Sequence, residues 1–358
     1  MLSKPKASSV NGSKNPLTHC FGRAKQAPER SFLTGLGTRS NQRGVALLMV
    51  LWIFIFLFVV AVDFAASVRE EGRAARRYSE EAGGYYLALA GFEQTLYELL
   101  ERQPAGRSPL LQWKDIACWK WGERPFGDGF YSARLIDEGG KINLNRADEN
   151  TLRRIFANLG MDQSTRDVLA DSILDWRDAD DLHRLNGAEK DYYLSLSPSY
   201  APRNGPFETV EDLLWVRGVT PELFYGDGEE TGLREIFTVD SPIDRINLGT
   251  ASAEVIHAHL GVPLRESRRF VEERCRVLGE ATLADMMSHL GISAGDAAAR
   301  QLIFVNPTVI TLEVSGYPGE SATRRRIKGV VRLVGGQSGF DLIRWVDRDV
   351  GTAERQEG

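Results

Sequence analysis

The sequence predicts an α+β protein: a long N-terminal helix, an antiparallel sheet, and a large all-α region lying in the chain between the predicted strands. Three observations lead there. From Val45 to Val62 the chain has no charge, no polar side chain, no Gly and no Pro. Residues 130–136 and the stretches within 308–346 alternate in the manner of half-buried strands. Between them, Ile142-Asn143-Leu144-Asn145-Arg146-Ala147 recurs about a hundred residues later as Ile246-Asn247-Leu248-Gly249-Thr250-Ala251, each copy followed by helical patterns.

In chain order, residues 1–44 read as a leader, rich in Ser, Lys, Gly, Asn and Pro and without apolar periodicity. They carry eight basic residues and one acidic, net +7, which leaves −12 on the remainder of a chain whose net charge is −5. Residues 45–66 are a membrane span. At about 1.5 Å per residue, some 20 apolar residues cross a hydrocarbon core of about 30 Å. Asp63 interrupts the run and Phe64-Ala65-Ala66 complete it. Basic residues directly before a span keep that side in the cytoplasm, so the acidic bulk lies across the membrane. No polar segment with a small-residue cleavage site follows the apolar core, as it would in a secretory signal.

Residues 67–141 continue the helix and add the first strand. Tyr85, Leu89, Phe92, Leu96 and Leu99 fall on one helical face, and Gly83-Gly84 invites a bend. Part of the stretch 104–129, with Trp113, Trp119 and Trp121, is expected to tuck onto the domain before the strand Phe130–Ile136. Residues 142–300 form an all-α domain of two repeats, about 142–226 and 246–300, of a helix-hairpin-helix or SAM-like kind, with Asn, Asp and Thr as N-caps. Residues 301–348 make a β-meander turning at Gly316-Tyr317-Pro318-Gly319 and Gly335-Gly336, and 349–358 are a polar tail.

Cys20, Cys118 and Cys275 have no metal-ligand spacing. Cys118 and Cys275 can pair in an oxidising compartment or remain two separate thiols, and sequence does not decide between them. No nucleophile–base arrangement or phosphate-binding loop is present, and His257 and His259, two apart on a helix, face different sides. The chain reads as structural, not enzymatic. Helix-hairpin-helix modules often bind nucleic-acid backbones, which needs a basic surface. Residues 141–226 hold ten basic and fifteen acidic residues, which repels phosphate.

The first repeat carries an acidic loop: Asp175, Asp178, Asp180, Asp181, Glu189 and Asp191 with an Asn186-Gly187 turn, bracketed by Trp176 and Tyr192-Tyr193. A hard cation such as calcium takes six to eight oxygens from carboxylates and carbonyls on a bendable loop, and these six side chains are candidate calcium ligands. A merely solvated acidic loop is the competing reading.

The junction Arg43-Gly44-Val45-Ala46-Leu47-Leu48 resembles that of type IV prepilins, which a dedicated peptidase cuts after the Gly. Taken with Asp175-Trp176-Arg177-Asp178-Ala179-Asp180-Asp181, Asn186-Gly187-Ala188-Glu189, Tyr192-Tyr193, Pro206-Phe207-Glu208 and Val216-Arg217-Gly218-Val219-Thr220-Pro221-Glu222-Leu223, nearly everything after residue 42 resembles the K family of type II secretion minor pseudopilins. Most pseudopilins carry Glu at the fifth mature position. Here Met49 stands there, which fits the K family and spares a tip subunit a carboxylate in lipid without a partner amine. The resemblance implies a pilin-like αβ fold with an inserted α-domain, calcium in that domain, and cleavage after Gly44 with methylation of Val45. It further implies partners I, J and H at the pseudopilus tip, prepilin peptidase, the inner-membrane platform and no nucleic acid. The chain would then be a single-pass inner-membrane protein with a periplasmic soluble part. The alternative is a membrane-anchored helix-hairpin-helix DNA-binding protein of a competence system.

Overall fold

The structure is a computed structural model that describes residues 42–101, 112–119, 122–226, 231–277, 282–293, 295–296, 298–319, 323–334 and 339–347. Cys20, Trp121, the Gly335-Gly336 turn and the tail from 349 lie outside the described residues, as does the leader up to residue 41.

Helix α1 spans Gln42–Glu101. Its part up to Ser67 belongs to one compact unit, and Val68 onward belongs to a second. In the first, Val45 to Val62 are exposed throughout. Among the described residues α1 is the one helix long and apolar enough to cross a membrane, with a mean hydropathy of 3.2 in its apolar window.

In the second unit, α1 lies on a five-stranded antiparallel sheet: β1 (Arg124–Phe126), β2 (Gly129–Asp137), then β7 (Val309–Pro318), β8 (Arg325–Leu333) and β9 (Phe340–Val346), in that spatial order. β2 and β7 pair from Gly129↔Pro318 to Asp137↔Ile310. Ala88, Phe92, Leu96 and Leu99 of α1 are buried against Tyr131, Ala133, Leu135, Ile310, Leu312, Val314, Ile327 and Val331, one strand face each second residue. Gly83-Gly84 does not end or split the helix. A Cβ on Gly84 would lie 3.0 Å from the Gly316 carbonyl oxygen, and one on Gly91 would lie 2.5 Å from the Tyr131 ring. These glycines serve close approach of helix to sheet, not a bend. The hairpin β1–β2, turning at Gly127-Asp128, goes unread in the sequence because β1 is three residues long.

The described residues between 142 and 303 leave the sheet between the neighbouring strands β2 and β7 and form a core of their own. Two segments there open on the same device. In the first, β3 (Ile142–Asn143) pairs in parallel with β4 (Phe237–Thr238). Asp148 then caps α3 (Glu149–Asn158), and Asp162 caps α4 (Gln163–Arg177). In the second, β5 (Ile246–Asn247) pairs in parallel with β6 (Leu302–Ile303), Ser252 caps α8 (Ala253–Leu260), and α9 (Leu264–Val277) follows. Arg177 of α4 donates to the Leu144 and Ala147 carbonyls, both at 2.6 Å, and Arg274 of α9 donates to those of Leu248 and Ala251. Thr209 and Thr282 each form a capping box with an Asp three residues on. In the first segment that box opens a 3-10 turn (Val210–Trp215), where the sequence pattern predicts a helix. In the second it opens α10 (Leu283–His289). The first segment also holds α5 (Lys190–Ser195), α6 (Pro221–Tyr225) and α7 (Leu233–Ile236).

Between α1 and β1, the short helix α2 (Trp113–Ala117) stands between the two cores. Trp113 packs in the helical core, while Ile116 and Trp119 pack in that of the sheet. Cys118, just past α2, is disulfide-bonded to Cys275 of α9, with a Cα–Cα distance of 5.6 Å. The pairing the sequence leaves open is thus formed.

Candidate metal centre

The acidic loop starts on a helix that buries its own carboxylates. Asp171 and Asp175, one turn apart on α4, both face inward. Asp171 accepts from Arg153 (2.7 Å) and from the backbone and side-chain amides of Asn186 (both 3.1 Å). Asp175, wholly buried, accepts from the Arg184 guanidinium (2.6 Å) and the Arg184 backbone amide. The same guanidinium donates to Asp178 at 2.7 Å. The Asn186-Gly187 turn presses on Asp175 so closely that a Cβ at Gly187 would overlap its carboxylate. Arg217 holds the turn from outside, donating to the Gly187 carbonyl at 2.9 Å and lying over the Tyr192 ring. Trp176 is wedged edge-on against Tyr193 and stacked on Phe207, so the loop is packed on an aromatic floor.

On that platform the carboxylate oxygens of Asp178, Asp180 and Glu189 come within 4.8 Å of one another. Glu189 is 1% exposed, and neither of its carboxylate oxygens has a hydrogen-bond partner. Asp178 Oδ1 and Asn204 Oδ1 are likewise buried without a partner. Burial and the neighbouring charges of Asp175, Asp178, Asp181 and Asp180 push the Glu189 carboxyl up to about 7. Buried carboxylate oxygens without donors are costly unless a cation or proton meets them. An all-oxygen donor set of this kind suits a hard cation.

The other three candidates stand elsewhere. Asp175 is occupied by Arg184. Asp181 accepts from Asn204 Nδ2 at 2.9 Å. Asp191 is exposed and pairs with His183 at 3.2 Å. Sequence reasoning missed Asn204, whose Nδ2 also donates to the Asp180 carbonyl and whose backbone is left-handed (φ 46°). An Asn-Gly pair (Asn204-Gly205) two residues after a Pro is the local sign of such a turn. Gly44 and Val45, the candidate processing residues, lie exposed near the start of α1.

Comparisons with known proteins follow the same lines. Residues 135–225 match the family model described as type II secretion system (T2SS), protein K. The chain is 31% identical over 205 residues to type II secretion system protein K of Klebsiella pneumoniae, a match covering 51% of this chain and 60% of that protein. The corresponding protein of Pectobacterium carotovorum subsp. carotovorum is 26% identical, with 52% and 61% covered. That of Pseudomonas aeruginosa is 26% identical over 273 residues, with 70% and 78% covered. The matched region thus spans about three fifths of the Klebsiella and Pectobacterium proteins. In fold, the chain resembles a chain in the crystal structure of the GspK-GspI-GspJ complex from the enterotoxigenic Escherichia coli type 2 secretion system. The TM-score is 0.55 at 16% identity, over 79% of this chain and 99% of that one. Family model, curated proteins and fold agree, and what the chain is similar to in all three is type II secretion system protein K.

Proposed function

We propose that the chain is a minor pseudopilin of the type II secretion system, built into the tip of the pseudopilus with the I, J and H minor pseudopilins and supporting protein export across the outer membrane. The observation that carries this reading is the helical region inserted between β2 and β7, with the protein K match running from β2 into that insert. The solved relative of the same fold is in complex with an I and a J protein.

In this reading the apolar part of α1 anchors the chain once in the inner membrane, with the soluble part in the periplasm. The basic excess before the span supports that orientation. Prepilin peptidase cuts after Gly44, Val45 becomes the methylated N-terminus, and the inner-membrane platform drives assembly. The role is structural. The two helical segments act as paired SAM-like or helix-hairpin-helix modules used as a scaffold. The DNA-binding alternative has no support from the comparisons, and residues 141–226 carry a net −5 against it. Calcium sits at Asp178, Asp180 and Glu189, with the Asn204 side-chain oxygen in reserve, and fixes the loop on its aromatic floor. The unpartnered oxygens of Glu189 support that assignment.

The test is coexpression with I and J pseudopilins and an active prepilin peptidase, followed by purification from membranes. A complex containing a mature chain that begins at methylated Val45 is expected. An intact N-terminus beside active peptidase, or a chain that never associates with I and J, overturns the reading.

A further inference from the structure

A second site lies away from the acidic loop. A cleft of about 240 Å³ opens where the two helical segments meet. Arg146 and Asp148 line it from the first segment, and Asp244, Arg245, His259 and Arg300 from the second. Elsewhere in the helical region, arginines such as Arg153, Arg184 and Arg203 are paired with carboxylates. Here they are not. Neither Arg146 nor Arg245 makes an ion pair among the described residues, and Arg300 reaches only the Gly295 carbonyl at 3.5 Å.

The acids at the cleft are fewer than its arginines. Asp148 caps α3 through the Thr151 amide at 2.7 Å and its charge acts on Arg154 and Arg177 beside it, and Asp244 is the second carboxylate of the lining. Behind the lining, half-buried Arg154 donates to Gln301 Oε1 (2.7 Å) and to the His259 carbonyl (3.2 Å), with Asp148 as its neighbouring opposite charge. Three guanidinium groups thus line the cleft against two carboxylates in a chain whose net charge is −5. The buried His259 sets a condition on the occupant. His259 is 1% exposed, its Nε2 lies 3.2 Å from the Ala298 carbonyl oxygen, and its Nδ1 has no partner. Burial and the nearby Arg154 hold its pKa down to about 4, so the ring is neutral and Nδ1 can meet only a donor, such as the O–H that a hydrogen phosphate retains.

We propose that this cleft binds a small oxyanion ligand, a carboxylate or a phosphate, between Arg146, Arg245 and Arg300. The planar fork of a guanidinium matches both anions with paired N–H donors, and a partly enclosed cleft screens the interaction less than open surface. The proposal does not rest on the secretion reading, because it uses residues of the cleft alone.

The full chain, in detergent at constant ionic strength and without added calcium, is titrated calorimetrically with succinate and separately with inorganic phosphate. Both chelate divalent cations weakly, so the acidic loop does not enter the readout. Saturable binding of at least one anion is expected. Arg146→Gln and Arg300→Gln should each weaken it about tenfold, about 1.4 kcal/mol, while Arg265→Gln on the exposed side of α9 leaves it unchanged. Preference for succinate assigns a carboxylate ligand, and preference for phosphate assigns a phosphate. No saturable binding of either up to about 10 mM, near the weak end of specific affinities, overturns the proposal. So does binding that the two cleft variants leave intact.

Discussion

Replacing Cys118 and Cys275 together by alanine removes the covalent link between the sheet side of the molecule and its helical region. The bond closes a loop with a sequence separation of 157 residues. In the chain-entropy account, opening a loop of that size returns about 5 kcal/mol of disorder to the unfolded chain. The native fold should survive, since Trp119 still donates to the Ala133 carbonyl at 3.1 Å and Trp113 still packs on Phe304. At about 2–4 °C per kcal/mol for a domain of this class, the melting midpoint should fall by about 10 °C or more. Tryptophan fluorescence is the assay of choice, because Trp113 and Trp119 flank the bridge and sit in different cores. Unreduced wild type is compared with the double variant and with reduced wild type, which should melt alike. A midpoint for the double variant within about 2 °C of the unreduced wild type would refute the reasoning. It would mean that the bridge does not restrict the unfolded chain as the loop-entropy account requires.

Four further outcomes follow from the site and from the supports of the helical region. Calcium at one hundred times its dissociation constant should stabilise the protein by about 2.7 kcal/mol, so EGTA lowers the melting temperature, and an unchanged midpoint removes calcium from the acidic loop. In EGTA, Glu189, raised to about 7 from an ordinary 4.5, binds more protons folded than unfolded between those values, so stability falls as pH rises through that window. Glu189→Gln should flatten the slope in a pH series of melts. Gly187→Ala drives a methyl into the Asp175 carboxylate and should cost about 1–3 kcal/mol by overpacking, read as a lower urea midpoint with the slope retained. Arg274→Met strips the Ala251 carbonyl of its donor at 2.5 Å and should cost about 2–4 kcal/mol. A melt like that of wild type would show that the α9 arginine does not hold the second segment.

What sequence makes legible here depends on the length over which a pattern repeats. The apolar run before Asp63, the Phe92–Leu96–Leu99 face and the strands of the meander each persist long enough for their period to be read. β1, β3, β4, β5 and β6 are two or three residues long and carry no period. The Gly83-Gly84 pair reads as a weak point of the helix. Its reason lies in Gly316 and Arg325, more than 230 residues away in the chain. The acidic loop is legible as a set of carboxylates, but which oxygens converge is fixed by Arg184, which draws Asp175 and Asp178 to itself, and by the left-handed turn at Asn204. The cleft arginines are not legible at all, since no spacing joins Arg146, Arg245 and Arg300.

An insert of this size between two paired strands could swing on its connections, and the junction shows why it does not. β2 ends in Asp137, which is followed by Glu138, and both are buried. Asp137 accepts from the Gly139 amide (2.9 Å), Asn247 Nδ2 (2.8 Å) and the Thr250 hydroxyl (2.6 Å), so the end of β2 is tied to the second segment. Glu138 accepts from the hydroxyls of Thr238, on β4 beside the first segment, and Thr311, on β7. Two carboxylates at one strand end therefore grip both helical segments and the returning strand. Buried acids cost free energy unless every lone pair is used, and here five donors use them. Each of the four oxygens has at least one of these neutral donors, and removing one leaves a buried oxygen short of a partner, which favours the arrangement that supplies all five. With the Cys118–Cys275 bridge joining α9 to the linker past α2, the insert is fixed at two separate places. A body attached at two places moves with the sheet as a unit, which is what the proposed place at the end of a filament asks of it.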